Sequence, residues 1–484
     1  MMNTSLISLE LAVVGLGLAF LLLDLWTPAE LKRQLGHAAA VCTALLFVFS
    51  FFVDASYVRE AFASAYVMDP LAIYFKRFFL LAGTIVLVLQ VQYADRIKSG
   101  ISEYYSLTLF ALAGMMFTAS AMNFAVMFAS LELVTITLYV LTSFQRNRLE
   151  SLEAGVKYLI MGGLASALMV FGIAFVYGSA GSFVFIDIYE KSSTLIGNSV
   201  FLIGLLLVLV GLAFKIAAFP YQIWAPDVYQ GSPAPTTALL AVGSKAAGIV
   251  LLLRIIYGVA PGVMHQWAPV LIAISAISIL YGNLCAIAQT SLKRLFGYSS
   301  IAHAGYLLLG LAALNATGAS AVLYYLTGYL FTVLAGFAVL VVALQQLDSD
   351  DLSGLAGLNE RSPLLATAMT MSMVSLAGIP PLAGFFGKFL LFKAALEEGA
   401  MQPAFYWLVA VAIVGVVISI WYYFNVIRAI YWPRQKADLT PITVPLPIKA
   451  TLALCMAGML FLGIFPSIPL ELTSRAAAVL PWLH

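Results

Sequence analysis

Apolar runs of about 20 residues, separated by short polar breaks, fill this chain from end to end. Fourteen such runs are centred near Gly17, Leu46, Gly83, Ala113, Leu133, Ala167, Val208, Ala247, Ser275, Leu307, Phe331, Pro380, Val416 and Ala457. A helix needs a run of that length to cross a hydrocarbon core roughly 30 Å thick. The ten-residue alternation of a membrane barrel does not occur. The expected fold class is an all-α polytopic membrane protein with about 14 transmembrane helices. Residues 7–26 lack a basic leading region and a small-residue cleavage site, and Glu10 lies early. They therefore read as a retained first span and not as a cleaved signal.

Two of the runs are interrupted by proline. The seventh reads FKIAAFPYQIWAPDVYQGSPAPT and the twelfth SLAGIPPLAGFFGKF. Proline removes a backbone donor and clashes with the preceding turn. At bilayer depth this is tolerated only where the freed backbone groups face protein or a wet cavity. The two breaks stand five runs apart. Five crossings are an odd number, so a second copy of a five-helix unit enters the membrane from the opposite side, as in transporters built from inverted repeats. The expected organisation is three N-terminal spans in residues 1–100, a first repeat of spans four to eight in 101–260, a second, inverted repeat of spans nine to thirteen in 261–435, and a last span in 436–484.

Composition agrees with this reading. Of 484 residues 63% are hydrophobic and only 10% are charged, far below the roughly 25% of a soluble domain. The longest polar stretches, near 181–197 and 347–362, leave no room for a soluble catalytic domain. Charge placement gives an orientation. Loops after the odd-numbered runs hold fourteen basic residues, from Lys32 and Arg33 through Lys293 to Arg434, Lys436 and Lys449. The other side, with the C-terminal tail, holds six: Arg59, Lys76, Arg77, Lys191, Arg254 and Arg475. The richer side is expected to be cytoplasmic, with both termini outside. Cys42, Cys285 and Cys455 stand far apart in apolar sequence and the four histidines show no paired spacing, which argues against iron–sulfur, haem or zinc centres in this chain. No glycine-rich phosphate loop follows a strand.

The remaining four of the 24 basic residues, with one acid, fall inside apolar runs: Lys215, Lys245, Lys388, Lys393 and Glu132. An ionisable group at that depth costs several kcal/mol, roughly 2.5–3.5 on insertion scales, and is a functional candidate by default. Spread over separate spans, these groups suggest a route for ions or protons. Glu132, at the centre of span five, and Lys215, just before the break in span seven, are expected to pair, either as a switch or as a static ion pair; each keeps the other charged. Lys245 lies in LLAVGSKAAGIVLLLR among Gly243, Ser244, Ala246, Ala247 and Gly248, which leave room for close packing or water. Its pKa can shift where an arginine's cannot. Lys388 follows the second break. Lys393, five residues on, either belongs to the same path or snorkels to the interface. His303, in GYSSIAHAGY, stands between the lysine groups in span order, near Tyr298, Ser299, Ser300 and Tyr306; it is either a relay or a hydrogen-bonded packing residue. Glu153 and Lys157 read as an interfacial i,i+4 pair, Asp227 as a cap or turn residue, and Asp348, Asp350 and Asp351 as an acidic loop, solvated or docking a partner.

The run FPYQIWAPDVYQGSPAPTTALLAVGSKAAG, with LKRLFGYSSIAHAGY and GIPPLAGFFGKF, resembles the antiporter-like membrane subunits of respiratory complex I, over nearly the whole chain. The resemblance implies that Glu132, Lys215, Lys245 and Lys388 match that family's functional glutamate and lysines. It implies proton translocation driven by NADH-to-quinone electron transfer. NADH, FMN, iron–sulfur clusters and quinone would then be bound by other subunits, with no cofactor or metal in this chain. The implied partners are the other membrane and peripheral subunits, the lipid bilayer and protons, not nucleic acid, and the implied location is the bacterial inner membrane. The chain ends soon after its last span and so lacks the long lateral helix of the largest such subunit. A multisubunit cation/proton antiporter is the alternative implied by the same likeness.

Overall fold

The structure, a computed structural model, describes residues 4–55, 57–343, 350–432 and 439–480. Arg434, Lys436 and Asp348 lie outside the described residues. The bundle opens with α1 (Ser8–Asp24) and α2 (Lys32–Phe49), a short hairpin of β1 (Arg59–Ala61) and β2 (Tyr66–Met68), then α3 (Pro70–Tyr93). There follow α4 (Ile101–Ala119), α5 (Phe124–Thr142), α6 (Leu149–Ala180), a short α7 (Phe185–Leu195), α8 (Ser199–Ile216) and α9 (Trp224–Gly231). Next come α10 (Ala234–Leu239), a π-turn over Leu240–Ser244, α11 (Lys245–Gly258), α12 (Pro261–Ala286), α13 (Leu292–Ala312) and α14 (Ala316–Ala343). The chain finishes with α15 (Leu358–Arg361), α16 (Pro363–Ala377), α17 (Ala383–Gly399), α18 (Ala404–Tyr431), α19 (Leu446–Ile464) and α20 (Ser467–Ala477). The fold is that of an all-α polytopic membrane protein.

Twelve helices among the described residues are long and apolar enough to cross a membrane. Each centre read from the sequence falls in a helix, except Pro380, which lies in the gap between α16 and α17. Helix starts follow local chemistry. Asp69 caps α3 by accepting from Ala72 N (2.7 Å), with Pro70 in the first turn, and Asn123, Asn198 and Ser291 cap α5, α8 and α13. The segment 234–258, spanning α10 and α11, is buried on every side, and α13 and α14 nearly so, whereas α1, α2, α6 and α18 bury about one face. A helix apolar all round belongs inside. Close approach at the edge uses glycine: a Cβ on Gly172 of α6 would stand 2.6 Å from the Gly204 carbonyl of α8.

The two broken spans share a backbone design. At the end of α8, Ala217 is left-handed (φ 57°), with Ala217 N bonded to Phe214 O (3.1 Å) and Ala218 N to Ala213 O (2.9 Å). At the end of α16, Gly378 is left-handed (φ 83°), with Gly378 N bonded to Ser375 O (3.0 Å) and Ile379 N to Val374 O (3.2 Å). Every residue of the second motif lies 161 positions beyond its counterpart (217 to 378, 218 to 379, 214 to 375, 213 to 374). This pairing closes a helix by satisfying its last carbonyls. Side chains add to this closure: Trp224 Nε1 is a second donor to Phe214 O (3.0 Å), and Lys388 Nζ donates to Leu376 O (2.8 Å).

Among the described residues, three of the basic residues that the sequence reading placed in loops are buried within helices. Lys76 is fully buried within α3, Arg254 is buried in α11, and Lys293 is buried in the first turn of α13 with Nζ on Ser232 O (2.9 Å). Each sits within about two turns of a helix end and has a protein partner, so hydropathy alone leaves it indistinguishable from loop charge.

Candidate functional site

Glu132 and Lys215 are not directly paired. On α5, one turn separates Glu132 from Thr135, and the two residues divide the bonding. Lys215 Nζ donates to Thr135 Oγ1, while Glu132 Oε1 accepts from Ser166 Oγ of α6 at 2.5 Å. Glu132 is half-buried and faces outward into a groove of about 400 Å³ between α5 and α6, beside Phe128, Val170 and Phe171. Lys215 is buried inside the bundle. The expected contact ion pair does not form: Lys215 reaches α5 from α8 at Thr135, on a different face of α5 from Glu132, and each group has its own hydroxyl partner. Next to Lys215, Phe214 packs against an aromatic group in which Tyr158 stacks on Trp224 (4.7 Å); Tyr139 and Tyr158 Oη are buried without a protein partner.

Lys245 begins α11 directly after the π-turn, a local widening often found at functional sites. Its Nζ donates to both the carbonyl and the hydroxyl of Ser300 on α13, at 2.5 Å each, and Ser300 Oγ shares a hydrogen bond with Tyr229 Oη of α9 (3.0 Å). One turn further along α13 stands His303, also buried. Both its ring nitrogens are engaged by tyrosines: Nδ1 with Tyr325 Oη of α14 and Nε2 with Tyr423 Oη of α18 (3.1 Å). Tyr423 Oη in turn meets Ser299 Oγ (2.5 Å).

Lysines stand on either side of this histidine. Lys245 Nζ lies 5.4 Å from the Tyr329 ring centre, and that ring lies 5.1 Å from the His303 ring. Lys388 Nζ lies 5.0 Å from the Tyr306 ring centre, and that ring lies 6.0 Å from His303. Each ammonium is within cation–π reach of its tyrosine. Lys388 also donates to Leu376 and Ala377 carbonyls across the second break. Lys245, His303 and Lys388 are therefore gathered, through a shell of tyrosines, into one polar line through α11, α13 and α17. Lys393 is not part of it: its side chain is 57% exposed and reaches Glu397 at 3.8 Å.

Sequence reasoning missed several members. Tyr229, Tyr325, Tyr329 and Tyr423 come from three other helices, and no local motif links them to His303; the four-residue spacing of Tyr325 and Tyr329 was the available signal. Two buried ion pairs were also missed. Glu10 and Lys76, both wholly buried, meet at 2.8 Å, with Tyr66 Oη donating to Glu10 (2.8 Å) and accepting from Lys76 Nζ (2.6 Å). Arg254 bonds both carboxylate oxygens of Asp69 (3.1 Å each) and the Ala119 carbonyl. An acid within the first apolar run marked the former. Asp227 is more than a turn residue: it joins Lys157 (2.7 Å) to Arg294 (2.6 Å), while Lys157 keeps its i,i+4 partner Glu153 (2.7 Å). Asp350 accepts from Ser291 Oγ (2.6 Å), tying the acidic loop to the start of α13.

Serine and tyrosine hydroxyls both donate and accept, and a neutral imidazole does the same through its two nitrogens. Here they form two separate hydrogen-bonded strings, Lys245–Ser300–Tyr229 and Tyr325–His303–Tyr423–Ser299, and the Tyr329 and Tyr306 rings stand between His303 and the two lysines. Among the described residues, no three His, Cys, Asp or Glu side chains converge as a metal site would require.

Comparison with known proteins places these features. The family described as "NADH:quinone oxidoreductase/Mrp antiporter, TM" matches residues 121–419. NADH-quinone oxidoreductase subunit N of Desulforamulus reducens is 36% identical over 98% of this chain and 98% of its own length. A chain of respiratory complex I from Thermus thermophilus, solved with bound aureothin, superposes with a TM-score of 0.80 at 32% identity, covering 96% of this chain and 99% of its own. A chain of the Mrp complex from Dietzia sp. superposes with a TM-score of 0.84 over 99% of this chain and 98% of its own; at 21% identity it shares the fold.

Proposed function

The chain belongs to the NADH:quinone oxidoreductase/Mrp antiporter membrane family, and on that premise we propose that it is a non-redox, proton-translocating subunit of a respiratory complex I. The observation that carries the reading is His303 set between Lys245 and Lys388, with both ring nitrogens on tyrosine hydroxyls. Nearly full-length likeness to relatives named subunit N at 36% identity supports complex I over the cation/proton antiporter, whose complex is matched at 21%.

In this reading Glu132 and Lys215 form the input switch, coupled through the neighbouring turn of α5. Lys245 and His303 form the central relay and Lys388 the exit. The partners are the other membrane and peripheral subunits of the assembly, which bind NADH, FMN, iron–sulfur clusters and quinone. Fourteen crossings follow if α8 with α9, and α16 with α17, each count as one span and α4 as another. The repeated helix ends at an offset of 161 residues support inverted repeats at 101–260 and 261–435, flanked by 1–100 and 436–484. The excess of Lys and Arg on one side supports outward termini in a bacterial inner membrane.

The test is NADH-driven proton transport by the whole assembly reconstituted in vesicles. Lys215→Ala and Lys245→Ala should abolish acidification coupled to quinone reduction. Transport left intact in both variants would make the chain a spacer and end the proposal.

A further inference from the structure

We propose that the groove bounded by α2, α3, α14 and α20 binds one anionic phospholipid, with its phosphate held by Arg77 and its acyl chains along the aromatic wall. The groove measures about 920 Å³, within the roughly 300–1,000 Å³ of cavities that hold small amphipathic ligands. Its walls include Phe47, Phe51, Phe78, Leu330, Phe331 and Leu472. Arg77 is the charge it leaves unanswered. The guanidinium stacks over the Phe51 ring at 4.4 Å and donates from Nη2 to Ser50 O (3.0 Å), yet Nε is buried with no partner. Among the described residues no carboxylate comes within 4 Å of it. The other two charged groups on the wall are already paired: Asp54 with Arg59, and Arg475 with Glu471 at 2.5 Å. The groove therefore carries one net positive charge.

The setting matches a lipid's geometry. Arg77 lies about two turns inside α3 from its Asp69 cap and meets the last turn of α2, so the guanidinium stands just below the interface. Across the rim runs α20, whose Ile468 and Leu472 are more than half exposed while Ala476 and Ala477 are buried against the bundle. A helix so divided lies in the plane of the headgroups. Arginine presents a planar fork suited to phosphate. A free inorganic anion would answer the charge and leave the apolar walls uncovered; a phospholipid answers both.

The experiment uses the intact assembly purified in mild detergent and exchanged into isotopically labelled phosphatidylglycerol, with retained lipid counted by native mass spectrometry. Arg77→Gln should bind this lipid about tenfold more weakly, the loss of one charge-assisted pair. Leu472→Glu places a like charge at the rim on an exposed side chain, so it tests the site without disturbing the α2–α3 contact, and should weaken binding similarly. Retention equal to the unmodified assembly in both variants would overturn the proposal. So would capture of a neighbouring subunit in the groove by a photo-crosslinker at position 472. Lipid occupancy is read without reference to pumping, so either result leaves the proton-transfer reading standing.

Discussion

Lys388 Nζ, on α17, donates to the carbonyl oxygen of Leu376, on α16, at 2.8 Å, and so a charged side chain from beyond the second break closes the open end of the helix before it. The Ala377 carbonyl, at 3.2 Å, shares the ammonium. One residue thus holds the break together and stands at the end of the polar line.

Replacing it should reveal both roles. Lys388→Met removes the donor and strands two carbonyls at bilayer depth, at about 1–3 kcal/mol for each buried group left unpaired. The purified assembly should lose several degrees of thermal stability around this subunit, and proton transport should fall with it. Lys388→Gln keeps a donor but no titratable charge. It should recover most of the stability and little of the transport, which separates the structural contribution from the chemical one.

The left-handed residues at the two helix ends make a matched pair of tests. Gly378→Ala should be clearly destabilising: φ is +83°, and a Cβ there would lie 2.9 Å from Lys388 Cδ. The left-handed region costs an ordinary residue about 1–2 kcal/mol, before any displacement of Lys388. Ala217 already bears that cost at φ 57°. Ala217→Gly should therefore leave stability within ~1 kcal/mol of the parent, relief of the backbone offsetting the freedom glycine adds to the unfolded chain. Thermal unfolding of both variants in detergent measures the contrast.

Much of this architecture was legible because a bilayer imposes one simple rule on sequence. Every expected span centre coincides with a helix or the second break, and prolines (Pro220 in the first, Pro380 and Pro381 in the second) marked both breaks. Lys245, His303 and Lys388 were legible because a charge or imidazole amid long apolar sequence has few reasons to be there. What pattern does not carry is which faces meet. Glu132 and Lys215 were expected to touch, but Lys215, from α8, meets α5 at Thr135, while Glu132 turns to Ser166 of α6. The tyrosines that enclose His303 arrive from α14 and α18, more than a hundred residues away in the case of Tyr423. Lys76 and Arg254 were missed for a different reason: their carboxylate partners are far away in sequence, and within two turns of a helix end a buried lysine and a solvated one look alike.

Lys245→Arg tests whether charge alone suffices. Lys245 is buried among small residues and bonded to Ser300 through a compact ammonium. Arginine is bulkier and keeps its proton at any accessible pH. If Lys245 works by releasing and regaining a proton, Lys245→Arg should transport protons about as poorly as Lys245→Ala, on the order of a hundredfold below the parent, the scale of a lost acid–base group. Transport near the parent level in the arginine variant would assign Lys245 an electrostatic role.

Glu10 and Lys76 call for a double-mutant cycle. Both are wholly buried and meet at 2.8 Å through a triangle with Tyr66 Oη. Glu10→Gln or Lys76→Met alone leaves one buried charge uncompensated, at about 3–5 kcal/mol. The double replacement removes both charges and should be much less destabilising than the two singles added together. Stability in detergent gives the coupling; additive effects would show that the pair is not an energetic unit.

The two tyrosines on His303 distinguish a relay from a packing residue. Tyr325 Oη meets Nδ1 and Tyr423 Oη meets Nε2 at 3.1 Å, and Tyr423 continues to Ser299 Oγ. If His303 only packs, Tyr325→Phe and Tyr423→Phe should each cost about 1 kcal/mol of stability for one lost hydrogen bond and leave turnover unchanged. If His303 passes protons, each phenylalanine interrupts one side of the line, and transport should slow severalfold in both variants beyond any loss of folded protein. His303→Gln sharpens the contrast, because it keeps hydrogen-bonding capacity and removes the titrating ring. Transport measured in vesicles, normalised to assembled protein, should then fall further in His303→Gln than in either tyrosine variant, since the imidazole joins two branches and each tyrosine serves one.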